Sequence, residues 1–118
     1  MRRARVLTRH RAPDRVPVRV AQGERAVLGE HDHAWPDFVW ATLAQGLGGW
    51  MPADVFRIDE AGATAQQDYD TRELDADPGD AITLERQHAG WWWAHDAQGR
   101  SGWIPDRAIE LIQENGSY

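Results

Sequence analysis

The stretch WWWAHDAQGRSGWIPDRAI, Trp91–Ile109, lies over the stretch FVWATLAQGLGGWMPADVF, Phe38–Phe56, with a constant offset of 53 residues and no gap. Both copies hold a Trp-Ala pair, a Gln-Gly pair and the sequence Gly-Trp-x-Pro. Upstream the offset becomes 56, where QGERAVL (22–28) matches PGDAITL (78–84), because the first copy carries a three-residue insertion. A unit of about 50–55 residues therefore occurs twice, which predicts two small domains in tandem.

The hydrophobic pattern inside each copy is typical of short strands. The runs AITLE, AVLGE, WWWAH and FVWAT are aromatic and β-branched, and RVPVRV alternates its three valines with other residues. Gly-Asp, Gly-Glu, Gln-Gly and Pro-Gly pairs separate these runs at the spacing of tight turns. Only PADV and PDRA favour a single helical turn. The expected fold class is all-β, with two small antiparallel β-barrels in tandem.

Composition excludes several kinds of chemistry. The chain has no cysteine and no lysine, so all 13 basic residues are arginine, which excludes disulfides, thiolate metal sites and lysine nucleophiles. Its serines are Ser101 and Ser117, and it has no glycine-rich phosphate loop, so we expect neither an enzyme nor a cofactor. His31 and His33 flank Asp32 without a further ligand at metal-binding spacing, so no metal is expected.

Neither a secretory signal nor a membrane-length apolar run is present in the sequence, and arginine in place of lysine fits a high-GC genome. The expectation is a soluble protein located in the cytoplasm. Residues 1–58 hold nine arginines and six acidic residues, whereas residues 59–118 hold four and thirteen. This asymmetry leaves three interpretations open: two units with different partners, two units that attract each other, or ordinary solvated faces.

The second copy carries a series of motifs in the order of one known family. They are AQQDYD (65–70), Glu73-Leu74, PGD (78–80), GWW (90–92), GRSGWIP (99–105) and the terminal IELI (109–112). Together they resemble the Src-homology-3 (SH3) family, and the first copy resembles the variant SH3 domains of bacteria. The resemblance implies domains at residues 1–58 and 63–113, with 59–62 as a linker and ENGSY as a frayed tail.

In the SH3 family, exposed rings form a groove for an extended ligand, and this implies a set of binding residues here. In the second copy they are Tyr69, Trp91, Trp103 and Pro105, with Asp70 and Glu73 selecting a basic residue beside the ligand's prolines. In the first copy they are Phe38, Trp50 and Pro52, with Pro13 aligned to Tyr69. The implied function is non-catalytic recognition of a protein or peptide, possibly a proline-rich segment in the polyproline II conformation.

Trp40 and Trp93 do not belong to that groove. Alternation along a strand points Trp92 and Ala94 toward the core and Trp93 away from it. Either these rings cover the outer surface of a sheet, or they meet across an interface between domains or chains. A structural or homo-oligomeric assembly role is therefore the main alternative function. Nucleic-acid binding through the N-terminal arginines is a third, which the acidity of the aromatic half disfavours.

Overall fold

The computed structural model of the protein describes residues 2–112; the predicted tail lies outside the described residues. Within this range the chain is all-β, as predicted, with two antiparallel five-stranded sheets and a two-stranded ribbon. Single 3-10 turns form at Ala53–Val55 and Asp106–Ala108, which confirms the two helical turns predicted from PADV and PDRA. No helix in the described range has the length and apolarity to cross a membrane.

Twelve strands are described in residues 2–112. They are β1 (Arg2–Val6), β2 (Arg19–Val20), β3 (Arg25–His31), β4 (Phe38–Leu43), β5 (Gly48–Pro52), β6 (Phe56–Asp59), β7 (Gly62–Ala65), β8 (Tyr69–Asp70), β9 (Ala81–His88), β10 (Trp91–His95), β11 (Ser101–Pro105) and β12 (Ile109–Leu111). Backbone contacts divide the chain into two compact units. The continuous unit is residues 15–71, and the split unit joins the N-terminal segment up to Asp14 to the segment from Arg72 onward.

The sheet of the split unit has the strand order β11-β10-β9-β1-β12. Strand β1 lies inside the sheet, between β9 and β12: Ala4 pairs with Ile82 on one side and with Leu111 on the other. Ala4 and Val6 are buried beside Ile82, Leu84 and other core residues, and Trp92 packs against the same cluster from its edge. The sequence-based assignment of Trp92 and Ala94 to the core side is therefore confirmed.

The continuous unit repeats this order as β5-β4-β3-β7-β6, with β7 in the place of β1. Strands β6 and β7 form a hairpin in which Asp59 pairs with Gly62. The turn needs a glycine there because Gly62 has a φ of 118°. The residues predicted to link two domains are thus a tight turn inside one sheet.

The observed units differ from the predicted domains 1–58 and 63–113 because the first strand of each copy lies in the sheet of the other copy. Strand β1 pairs with strands of the second copy, and β7 pairs with strands of the first. Val6 pairs with Ile109 in one sheet, and Ala65 pairs with Phe56 in the other. Phe56 and Ile109 are equivalent positions of the repeat, 53 residues apart. Val6 and Ala65 are therefore equivalent too, which relates β1 to β7 at an offset of 59 residues. The next segment follows the same rule. Tyr69 on β8 pairs with Val20 on β2, and His10 forms the equivalent bridge with Ala76.

The tip of the β10–β11 hairpin is held by a carboxylate. Asp96 accepts hydrogen bonds from the backbone N–H groups of Gln98 and Arg100, both at 2.9 Å, and from the Arg100 Nε at 2.7 Å. Burial raises the pKa of Asp96, but the hydrogen bonds from Arg100 and Gln98 and the Arg100 charge outweigh it, so the pKa lies below its ordinary value. The carboxylate form therefore stabilises this hairpin.

Replacement Asp96→Ala is expected to destabilise the chain by about 1–2 kcal/mol at neutral pH, because two backbone donors lose their acceptor. A carboxyl whose pKa is lower in the folded chain stabilises it above the ordinary value of 3.8, and that contribution is lost as pH falls through the folded value. Thermal unfolding from pH 7 down to pH 2 measures this: the difference from wild type should shrink below pH 4. Gln98→Ala is the control at the same turn, and a difference that stays constant down to pH 2 would contradict the prediction.

The exchange of first strands predicts which fragments fold. Residues 15–71 contain every strand of one sheet, so this fragment should give a dispersed amide NMR spectrum on its own. Residues 1–58 lack β7 and β8, and residues 63–113 lack β1 with its buried Val6, whose burial is worth about 1.5–3 kcal/mol. Neither of these two fragments should show a dispersed spectrum alone. A folded 1–58 fragment would show that the exchange is not required.

Candidate functional site

Trp91 opens β10 directly after a two-residue turn. The turn residues Ala89 and Gly90 have φ values of 51° and 87°, the left-handed pair that joins antiparallel strands without splaying them. This tight turn sets Trp91 opposite His88 on one side and opposite Pro105 on the other. Trp91 is left partly buried, and its indole Nε1 is among the buried atoms.

His10, from the N-terminal segment, forms the second wall beside Trp91. The two rings meet edge to face, with centroids 5.5 Å apart and an interplanar angle of 74°. His10 Nε2 lies 2.9 Å from Glu73 Oε1, so that nitrogen carries the proton it donates to the carboxylate. Their side chains are 16% and 24% exposed, so the pair is partly shielded from water. Trp91, His10 and Glu73 thus form one contiguous ring-and-carboxylate surface.

The segment carrying Glu73 lies along β11 and forms one isolated parallel bridge, between Glu73 and Trp103. The N–H of Leu74 donates to the Trp103 carbonyl and the N–H of Trp103 donates to the Arg72 carbonyl, each at 2.9 Å. Gly102 permits this approach, since a Cβ there would lie 2.6 Å from the Glu73 carbonyl carbon. The absence of a side chain on Gly102 therefore positions the carboxylate of the site.

Tyr69 and Asp70, predicted for this groove, belong to the continuous unit instead. Tyr69 is buried there, and Asp70 pairs with Arg19 at 3.1 Å. The strand exchange explains this: β7 lies in the continuous unit, so the segment that directly follows it, which carries Tyr69 and Asp70, lies in that unit too. His10 takes the equivalent position beside Trp91, whereas Pro13, which the sequence alignment matched with Tyr69, does not.

Two acidic residues shortly after Glu73 are engaged by the N-terminal segment. Asp77 accepts from the Arg11 guanidinium at 2.6 Å, and the Asp75 carboxylate accepts the Ala12 N–H at 2.7 Å. By sequence the split unit contains nine arginines and ten acidic residues, and the continuous unit contains four and nine. The exchange of segments therefore removes most of the charge contrast that the linear sequence shows.

Trp103 and Pro105, also predicted for the groove, are buried. Trp103 is only 2% exposed and packs edge to face against Trp93, with ring centroids 5.3 Å apart. The Arg86 guanidinium lies 5.5 Å from the centroid of each of these rings. Trp93, whose role the sequence left open, thus covers the sheet as one half of a cross-strand tryptophan pair.

In the first copy the predicted groove residues are Phe38, Trp50 and Pro52. Phe38 is 8% exposed and Pro52 is almost fully buried, so neither side chain lines an open trough. Trp50 is half-buried and pairs with Trp40 across β4 and β5, with centroids 5.3 Å apart. This pair repeats the Trp93–Trp103 arrangement and accounts for Trp40 in the same way.

His10 is the site residue that the sequence analysis missed. A signal was present: Ala4 and Val6 alternate in β1 as Ala63 and Ala65 do in β7, at an offset of 59 instead of 56. Following that offset places His10, and not Pro13, in the position of Tyr69. The two offsets, 56 and 59, differ by a gap of three residues. This gap falls in a segment with few identities between the copies, so the match of His10 with Tyr69 was not found from the sequence.

His31 and His95 have local hydrogen-bond partners. His31 Nδ1 lies 2.6 Å from the Pro36 carbonyl oxygen, and His95 lies between Glu85 and Ser101 at 2.7 and 2.6 Å. In residues 2–112, no group of three or more histidine and acidic side chains is placed to hold a metal ion.

Substitution of the glycine behind Glu73 should disturb the site. Gly102→Ala forces a methyl group against the Glu73–Leu74 backbone, so we expect a loss of about 1–3 kcal/mol and movement of the His10 and Trp91 NMR signals. Gly49→Ala is the matched control at the same repeat position. There the nearest atom, at 3.0 Å, is the Thr71 methyl, a side-chain atom that can turn aside. Equal stability losses for the two variants would contradict the backbone argument.

Comparison with known proteins adds no relative: no family model matches the chain, and no curated protein or solved structure is significantly similar to it. The SH3 resemblance therefore rests on motifs alone. What the structure establishes is coarser, an all-β chain with two antiparallel five-stranded sheets.

Proposed function

We propose that the chain is a non-catalytic recognition module built from two SH3-like barrels, and that its split unit binds an extended, proline-rich peptide segment. The observation that carries the proposal is the partly exposed Trp91, in edge-to-face contact with His10, which is hydrogen-bonded to Glu73. Two ring walls that meet at a steep angle make a notch into which a proline ring fits.

The chemistry of this notch favours binding over catalysis. His10 and Glu73 are hydrogen-bonded to each other, and Trp91, whose indole Nε1 is buried, contributes mainly apolar ring surface. An extended proline-rich ligand loses little conformational entropy on binding, so a small surface suffices for micromolar affinity, about −8 kcal/mol. Asp70 and Glu73 are the acids predicted to select a basic residue beside the ligand's prolines. Of these two acids, Glu73 is the one that lies in the split unit, so this selection depends on Glu73.

An NMR titration with a ten-residue proline-rich peptide tests the proposal. The Trp91 indole signal should shift, and His10→Ala should weaken binding about three- to tenfold because the groove loses one ring. His95→Ala is the matched control, since His95 is also hydrogen-bonded to a glutamate of the split unit but lies outside the notch. Adding one flanking arginine to the peptide measures the contribution of Glu73, which Glu73→Gln should remove.

Assembly through apolar surface is the second candidate, and one observation favours it. In the continuous unit Val27 and Ile58 are each 73% exposed and line an open apolar trough with Leu28, Leu43 and Ala63. Exposed patches of this kind often mark sites of association. If the peptide leaves the Trp91 signal unmoved while sedimentation shows a dimer that Val27→Glu dissociates, the assembly function replaces peptide recognition.

A further inference from the structure

The Trp40–Trp50 pair of the continuous unit forms an aromatic corner at the surface. Trp40 and Trp50 face each other across β4 and β5, with an interplanar angle of 81° and both side chains half-buried. The Arg15 guanidinium carbon lies 5.7 Å from the centroid of the Trp40 ring. A cation from the chain itself therefore already occupies one wall of this corner.

Gly48 is what lets the Trp40 ring lie in this position. A Cβ on Gly48 would come within 2.6 Å of the Trp40 Nε1 and 2.8 Å of two further ring atoms. The equivalent residue of the second copy is Ser101, whose side chain bonds His95. A side chain at Gly48 would therefore require the Trp40 ring to shift from its observed position.

The equivalent pair in the split unit, Trp93 and Trp103, is covered by an arginine of the same sheet. Arg86 stands opposite Trp93 on the neighbouring strand and lies 5.5 Å from both rings, and Trp103 is 2% exposed. At an offset of 56, the residue equivalent to Arg86 is Glu30, which lies in the bulge between Leu28 and His31. In the continuous unit the strand position next to the corner therefore carries an acid.

Arg15 is held weakly. It belongs to residues 11–17, all of which are exposed, so it reaches the corner from a loop and not from the sheet. A cation–π contact at an exposed site is worth about 0.5–1 kcal/mol, which a competing cation can readily displace. Glu30 and a continuous unit with nine acidic residues against four arginines favour cationic ligands in this region.

We propose that the Trp40–Trp50 corner binds the guanidinium group of an arginine side chain of a partner peptide, and that Arg15 occupies the corner until that arginine displaces it. A planar guanidinium stacks on an indole face more effectively than a compact ammonium, which selects arginine over lysine. The site is separate from the Trp91 notch and does not depend on recognition of proline.

Titration of the full chain with acetyl-Gly-Arg-Gly-amide, followed through assigned indole NMR signals, tests the proposal. The Trp40 and Trp50 signals should shift, whereas the citrulline peptide, which has the same shape without the charge, should leave them in place. Arg15→Ala should lower the half-saturating concentration about two- to fivefold, because the internal competitor is gone. Glu30→Gln, a change at an exposed side chain, should raise it.

Arg57→Ala is the matched control, because it removes one exposed arginine of the same unit away from β4 and β5. Equal shifts with the arginine and citrulline peptides, or an unchanged half-saturating concentration in Arg15→Ala, would overturn the proposal. These results concern Trp40 and Trp50 alone. Failure here is therefore distinguishable from failure of the proline-rich peptide to shift the Trp91 signal.

Discussion

The pairing of β1 with β9 and β12 is the constraint on which the rest of the structure depends. It inserts the first strand of the chain between strands that come from beyond residue 80, and β7 fills the same place in the other sheet. Both strands bury small side chains, Ala4 in one sheet and Ala63 in the other, so each fits tightly between its neighbours. Because one inner strand of each sheet comes from the other repeat, neither repeat contains a complete sheet.

That exchange also decides which side chains meet. The N-terminal segment carries His10 and Arg11 to the acids that follow Arg72, so their charges are satisfied within one unit. Tyr69 and Asp70, from the second copy, pair with β2 in the continuous unit. The proposed recognition surface is therefore assembled from the beginning of the first repeat and the body of the second.

The tryptophans of the repeated motif divide among different tasks. Trp92 packs on the core and donates its indole N–H to Asp106, while Trp93 pairs with Trp103 on the sheet surface. Only Trp91 is left to form a wall of the proposed notch. The two copies then differ in what covers their cross-strand pairs: an arginine of the sheet in one, and an arginine of an exposed loop in the other. That difference is the basis for assigning them different capacities for ligands.

The amino-acid sequence by itself determined the repeat, the all-β class, most strand positions, the two single helical turns and the core side of β10. These features are local, because alternation, turn residues and β-branched content act within a few neighbours. Only the tertiary structure decided which copy supplies the strand next to β12 and the strand next to β6, and with it that His10 and not Tyr69 stands beside Trp91. β1 and β7 offer each sheet similar hydrogen bonds and similar small apolar faces, so local sequence does not distinguish the exchanged arrangement from the direct one. The choice lies in contacts between residues more than 70 positions apart, such as Ala4 with Ile82, which no short-range pattern records.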